Sequence, residues 1–296
     1  MRAATRLAIA ATPLMMALSA CGDPYTGDDG GEGGIVVGSA DFPESTLLAQ
    51  IYAQALEAEG VEATTQLDIG SREVYYDQIA EGNLSVFPEY NGAMLYYLDP
   101  EAVSGGTEET NEALREILPE GLEILDSAEA QNKDSVTVTK ETADKEDLTT
   151  IGDLQDVAED MVLGAPAEFE TRPQGVPGLE ETYGVTFKEF TALEGNLLVE
   201  GLKGGDIQAA NLFTTNAVFT SGDYVALEDP KNLFGSQNIT PLIHSDTVDQ
   251  TARDVLNAVS AGLTTDELIE LDKRVEVDHE EADEVAADWL RQVGLA

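Results

Sequence analysis

From residue 35 onward, short apolar runs alternate with helical spacings. Ile35, Val36 and Val37 form a strand candidate; Leu47, Leu48, Ile51, Tyr52, Ala55 and Leu56 then recur at helical spacing until Gly60 stops them. Residues 63–67 predict a strand, 73–80 a helix stopped by Gly82, and 84–87 a further strand. Strands are predicted again over 135–139, 161–163, 185–187, 207–212 and 224–227, with helices between several of them. Strands separated by crossover helices predict parallel α/β sheets covered on both faces. The last third changes character: 248–262, 265–274 and 279–293 read as three consecutive helices, the last carrying the apolar stripe Ala282, Val285, Ala286, Trp289 and Leu290. No repeat appears at a solenoid period. The simplest architecture is two α/β lobes with a helical C-terminal end. Irregular polar stretches precede strands near 132–135 and 234–240, which assigns 35–134 plus 239–296 to lobe 1 and 135–238 to lobe 2. Open α/β sheets take ligands outside the strand carboxyl ends, so a cleft between the lobes is the expected site.

Composition narrows the chemistry. In 296 residues, 15 Lys+Arg stand against 58 Asp+Glu, a net charge of −43, which excludes a phosphate-backbone partner because nucleic-acid binding is driven by cationic side chains. A hydrophobic fraction of 42% argues for a folded chain rather than an acidic tail. The carboxylates are spread along the whole sequence and read as a solvated surface suited to a salty or harsh medium. Steering of a cationic ligand is the sharper alternative, which salt screens beyond ~8–10 Å. Two histidines, His244 and His279, and one cysteine, Cys21, leave no cluster for a metal or for Cys–His catalysis, and no cofactor is implied.

The N-terminus reads as an export signal. Arg2 and Arg6 form a basic start, followed by apolar and small residues over 7–18, too short for a comfortable bilayer span. The run ends in Leu18-Ser19-Ala20-Cys21-Gly22, which resembles a bacterial lipobox, so residues 1–21 are expected to be a lipoprotein signal ending at a lipidated Cys21. Ordinary signal cleavage beside an incidental cysteine is the alternative; the lack of a second cysteine to pair with favours the lipid. Residues 22–34 are rich in Gly and Asp without apolar periodicity and read as a flexible tether. The mature protein is thus expected to be a monomeric, extracytoplasmic, lipid-anchored globule.

Three local patterns carry site candidates. Gly38-Ser39-Ala40-Asp41-Phe42-Pro43-Glu44 follows the first strand and opens the first helix, where loop amides can face a ligand's negative end. Val86-Phe87-Pro88-Glu89-Tyr90-Asn91-Gly92 places a tyrosine after a strand. Glu168-Phe169-Glu170-Thr171-Arg172-Pro173-Gln174-Gly175 sets a scarce arginine in a Gly/Pro-rich loop, a candidate anion clamp or a surface ion pair. In this order, with Gly70-Ser71 before the second pattern and Leu227-Glu228-Asp229-Pro230-Lys231 after the third, these segments resemble the extracytoplasmic substrate-binding proteins of ABC importers for glycine betaine, choline and related osmoprotectants. The resemblance covers about residues 35–296. It implies a type II periplasmic-binding-protein fold that closes over its ligand without chemistry of its own, a permease and its ATPase as partners, and an aromatic cage for a quaternary ammonium. Such a group has no N–H to donate, and aromatic faces hold it at ~0.5–1 kcal/mol per exposed contact and ~2 or more when desolvated.

On the family's pattern Tyr90 matches a cage tyrosine, Tyr76 (with Tyr75 beside it) falls near another, and Arg172 matches the arginine that meets a betaine carboxylate. Ser39, Phe213, Thr214 and Gln237 complete the candidate set. Three departures matter: Ala40 stands where many members have Lys, Phe213 and Asn216 where Tyr and Asp are common, and Gln237 where a cage tyrosine is usual. Phe213 keeps a π face; Gln237 offers an amide that can donate and accept. A small amine or betaine is expected, with choline, carnitine or a betainised amino acid such as ergothioneine able to use that amide. A ligand sensor is the second reading. An extracellular hydrolase with a carboxylate pair is the third and weakest: 58 acidic residues bring pairs such as Glu89 and Asp77 together by chance, no Gly-x-Ser-x-Gly elbow is present, His244 reads as structural and His279 as solvent-exposed.

Overall fold

A computed structural model describes residues 34–102 and 105–296. The signal over 1–21, Cys21 and nearly all of the tether lie outside the described residues. The β-branched run of β1 (Ile35–Gly38) forms an inner strand of a sheet, flanked by β2 (Ala63–Gln66) and β3 (Val86–Tyr90). The sheet order is β2-β1-β3-β10-β4, with β4 at Leu122–Ile124 and β10 at Ile239–His244. A second five-stranded sheet has the order β7-β6-β8-β5-β9, made of β5 (Asp134–Thr139), β6 (Val162–Ala165), β7 (Glu189–Ala192), β8 (Ala209–Phe213) and β9 (Tyr224–Ala226). The chain passes between the sheets twice, over 125–133 and over 227–238, where Gln131 bridges Asn238.

The sheets are mixed rather than parallel. β1 pairs parallel with β2 and β3, and β6 with β7 and β8, but β10 is antiparallel to β3 and β4, and β5 to β8 and β9. The reason is topological. Strands β1, β3, β6 and β8 run towards the junction of the lobes, whereas β5 and β10 begin there and must run away from it. The strand predicted over 185–187 also moves: Val185 is buried in the core, and pairing with β6 starts only at Glu189.

Helix α1 (Pro43–Ala58) starts with Pro at its first position and Glu44 in its first turn, both suited to a helix N-terminus. Its buried stripe of Leu47, Leu48, Ile51, Tyr52, Ala55 and Leu56 packs on the C-terminal helices α8 (Gln250–Gly262), α9 (Thr265–Glu276) and α10 (Ala282–Val293). In α10, Val285, Ala286, Trp289 and Leu290 face the same core. Thr264 and Glu267 cap α9 reciprocally, with Thr264 N–H donating to Glu267 Oε2 at 3.0 Å and Glu267 N–H to Thr264 Oγ1 at 3.3 Å. This fixes where α9 begins, and so which of its residues reach the junction. The other face of the first sheet carries α2 (Arg72–Ala80), α3 (Asn91–Leu98) and α4 (Thr107–Ile117). At the start of α3 the chain runs so close to residue 236 that a Cβ at Gly92 would sit 2.0 Å from Ser236 O, so only glycine fits.

Candidate functional site

The loops at the C-terminal ends of β1, β3, β6 and β8 converge on a cleft of about 550 Å³ between the sheets. Its apolar wall is aromatic. Phe42 stacks on Tyr90 with ring centroids 6.3 Å apart and meets Phe213, across the cleft, at 5.5 Å. Tyr75 and Phe87 stack at 3.7 Å behind them. Tyr90 is only 8% exposed, and its hydroxyl donates to Glu44. Burial, then the neighbouring Glu44, push that phenol well above its usual range, so Tyr90 stays neutral and donating.

Glu44 ties the two lobes together. Besides Tyr90, its carboxylate accepts from Asn132 Nδ2 at 2.8 Å, on the crossover, and from Thr215 Oγ1 at 2.7 Å, in the second lobe. Facing it from α9 are Asp272 and Glu276, both on the cleft wall. Asp272 is 2% exposed; burial, and then the charge of Glu44, hold its carboxyl well above the usual range. Glu276 is pushed up to about 7 by burial and by Glu44. Asp134, at the start of β5, is raised by burial despite a 2.9 Å hydrogen bond from Asn211. The end of the cleft formed by Glu44, Asp272 and Glu276 is therefore rich in acceptors and reluctant to carry its full negative charge, whereas Asp134 lies within reach of the charges of Arg172 and Arg72.

Two arginines stand at the other end, and each already has a partner. Arg72 is buried and grips Glu89 in a fork, Nε to Oε1 at 3.0 Å and Nη2 to Oε2 at 3.1 Å, while Tyr75 also donates to Glu89. Burial alone disfavours the charge of Arg72, but Glu89 more than restores it. Arg172 reaches across the cleft to Glu73 on α2, with Nε–Oε1 and Nη2–Oε2 both 3.1 Å, and lies 3.6 Å from Glu168 on its own lobe. Burial opposes ionisation of Glu73, yet the hydrogen bonds from Arg172 and Ser71 hold it at about 2.

Of the residues singled out from sequence, Tyr90, Arg172, Phe213 and Gln237 come together on the cleft wall. The other three stand elsewhere. Ser39 is fully buried beneath the β1 loop, where its hydroxyl donates to Ala40 O and accepts from Asp68 N–H. Tyr76 packs on Tyr97 at 5.0 Å, away from the cleft wall, because adjacent helical positions point about 100° apart and Tyr75 takes the inward one. Thr214 is exposed and accepts from Lys133 N–H, while Thr215 takes the inward position. The amide of Gln237 is already engaged by main chain, accepting from Ala93 N–H at 3.0 Å and donating to Phe234 O at 2.7 Å. Among the described residues no group of His, Cys, Asp or Glu is placed to hold a metal ion, and no helix is long and apolar enough to cross a membrane.

Over residues 33–292 the sequence matches the family described as the substrate-binding domain of ABC-type glycine betaine transport systems. The chain belongs to that family. This binding protein is 27% identical over 276 residues to the glycine betaine-binding protein YehZ of Escherichia coli, an alignment covering 88% of this chain and 90% of that one. It is 23% identical over 272 residues to a glycine-betaine-binding protein of Pseudomonas aeruginosa, covering 86% of each. Among solved structures, one titled as a glycine betaine/carnitine/choline ABC transporter superposes with a TM-score of 0.71 at 20% identity, covering 88% of this chain and 99% of that one, a likeness of fold. The family consists of transport binding proteins rather than enzymes, and such importer subunits work outside the cytoplasm.

Proposed function

We propose that this binding protein captures a small quaternary-ammonium osmoprotectant between its lobes and hands it to a membrane permease driven by an ATPase. The observation that carries this reading is the aromatic wall of Phe42, Tyr90 and Phe213, drawn from both lobes and backed by the Glu44 carboxylate. A permanently charged ammonium without N–H groups is held by such faces and by a nearby anion, not by hydrogen bonds. The site residues of this reading are Tyr90, Phe42, Phe213, Glu44 and Arg172. Closure is a movement of residues 135–238 against 35–134 plus 239–296 about the two crossovers, with the ligand stabilising the closed form. Cys21 is the lipid anchor that keeps the monomeric protein at the outer face of the membrane, and no catalytic step is involved.

Calorimetric titration of the purified protein against glycine betaine, choline, carnitine and ergothioneine tests this. Micromolar or tighter binding of one of them is the expected result. Silence from all four, in protein with a cooperative unfolding transition, would leave the fold standing and remove the quaternary-amine reading.

A further inference from the structure

Two buried acceptors on the cleft wall lack partners. Asp272 Oδ1 and Gln174 Oε1 have no hydrogen-bond partner among the described residues, although their residues are only 2% and 3% exposed. An unsatisfied buried acceptor is costly, and native proteins rarely keep one without a use. The two residues come from different lobes, Asp272 from α9 and Gln174 from the loop after β6, so both wait at a surface that closes over a ligand. The charges on that surface point the same way. Glu44, Asp134, Asp272 and Glu276 line it, while its basic groups, Arg72 and Arg172, are already committed to Glu89 and to Glu73 with Glu168.

We propose that Asp272 forms a subsite for a hydrogen-bond donor on the ligand, and that the natural ligand is therefore a net cation bearing an O–H or N–H rather than a zwitterion. The proposal rests on the quaternary-ammonium reading above and refines it. An alkylated ammonium lies against Phe42, Tyr90 and Phe213, and a hydroxyl or N–H a few bonds away donates to Asp272. A fully alkylated betaine does the reverse. It brings no donor to the orphaned acceptors, and its carboxylate meets an acidic wall with no uncommitted arginine. A site built around a donor rejects the analogue lacking it, because the buried acceptor is then left unpaired.

The test compares four probes by calorimetry: choline, its O-methyl ether, tetramethylammonium and glycine betaine. The ether keeps the charge and nearly the shape of choline but has no donor. Choline is expected to bind at least tenfold more tightly than the ether and than glycine betaine. In Asp272→Ala, choline and its ether should bind within about twofold of each other, and tetramethylammonium should lose no more affinity than the ether does. Equal binding of choline and its ether by the wild-type protein would overturn the proposal without needing any variant to fold. Tightest binding of glycine betaine would overturn it while leaving the quaternary-ammonium reading intact. Failure of all four probes to bind would remove both.

Discussion

On the first lobe, the groups that face the cleft are locked by the protein itself. Glu44 is held by Tyr90 and Asn132, and by Thr215 across the gap, and Arg72 is held by Glu89. On the second lobe, the facing groups are held less firmly: Phe213, at the end of β8, is half-buried, Arg172, on a loop, is 23% exposed, and its shortest-range partner, Glu73, lies across the gap. The cores differ in the same sense, since the three C-terminal helices all pack on α1 of the first lobe. One half of the site is thus preorganised, and the other completes it on closure. In such a division the ordering cost is met during folding on one side and on binding on the other.

The largest expected effect tests whether the first half is truly built in. Glu89→Ala leaves Arg72 buried without its counter-ion, which costs ~3–5 kcal/mol of unfolding free energy, whereas Arg172→Ala removes a partly exposed pair worth under ~1 kcal/mol. Urea denaturation of both variants measures the contrast. Equal losses would mean that Arg72 finds water when its partner goes, and that the floor of the cleft is softer than its burial implies.

A smaller effect separates the two halves of the aromatic wall. Tyr90→Ala removes an enclosed ring together with a hydroxyl bound to Glu44, and should weaken the preferred ligand at least tenfold. Phe213→Ala removes a half-exposed ring, worth ~0.5–1 kcal/mol, or roughly two- to fivefold in affinity. Titration calorimetry of each variant decides, and a larger loss from Phe213 would reverse the assignment of the leading lobe.

How much of this was legible in the sequence follows from the range of the interactions. The two-lobed α/β plan is written in local periodicity and in the order of the loop motifs, and the core stripes of α1 and α10 fall where apolar spacing puts them. Strand direction is not local. Nothing within residues 239–244 states that the strand enters from the junction, so β10 could not be distinguished from a parallel strand. The arginines show the same limit: Arg172 stood out because it is scarce and sits in a loop, but its partner Glu73 is 99 residues away. Arg72 and Glu89, 17 residues apart, carry no local sign of their pairing. One missed residue did leave a signal. Asp272 follows Leu268 by four and precedes Val275 by three, so it lies on the apolar stripe of α9, where a carboxylate without a purpose is costly. Tyr75 and Tyr76 left none, since a phase difference of about 100° decides which faces the cleft.

The smallest effect lies where the two halves meet. Glu276, on the last turn of α9, borders both the cleft and a second cavity, whose walls carry Glu44 and Asp272 on one side and Lys140, Glu141, Glu200, Lys203 and Asp223 on the other. Its carboxyl is raised from 4.5 to about 7 by burial and by Glu44. A raised acid makes the folded state bind more protons than the unfolded one. Its contribution to stability is therefore fullest below about 4.5, and it falls as pH climbs towards 7. A cationic ligand works against that trend, because it favours the ionised carboxylate; binding then releases protons, and affinity rises with pH through the same window. Asp272, raised in the same direction, adds to the slope rather than opposing it. One unit charge about 7 Å away in a water-like medium contributes ~0.6 kcal/mol, so choline should bind roughly threefold more tightly at about pH 8 than at about pH 5.5. Glu276→Gln should flatten most of that rise without changing affinity at the lower pH. A profile that stays steep in Glu276→Gln would assign the proton to Asp272 instead.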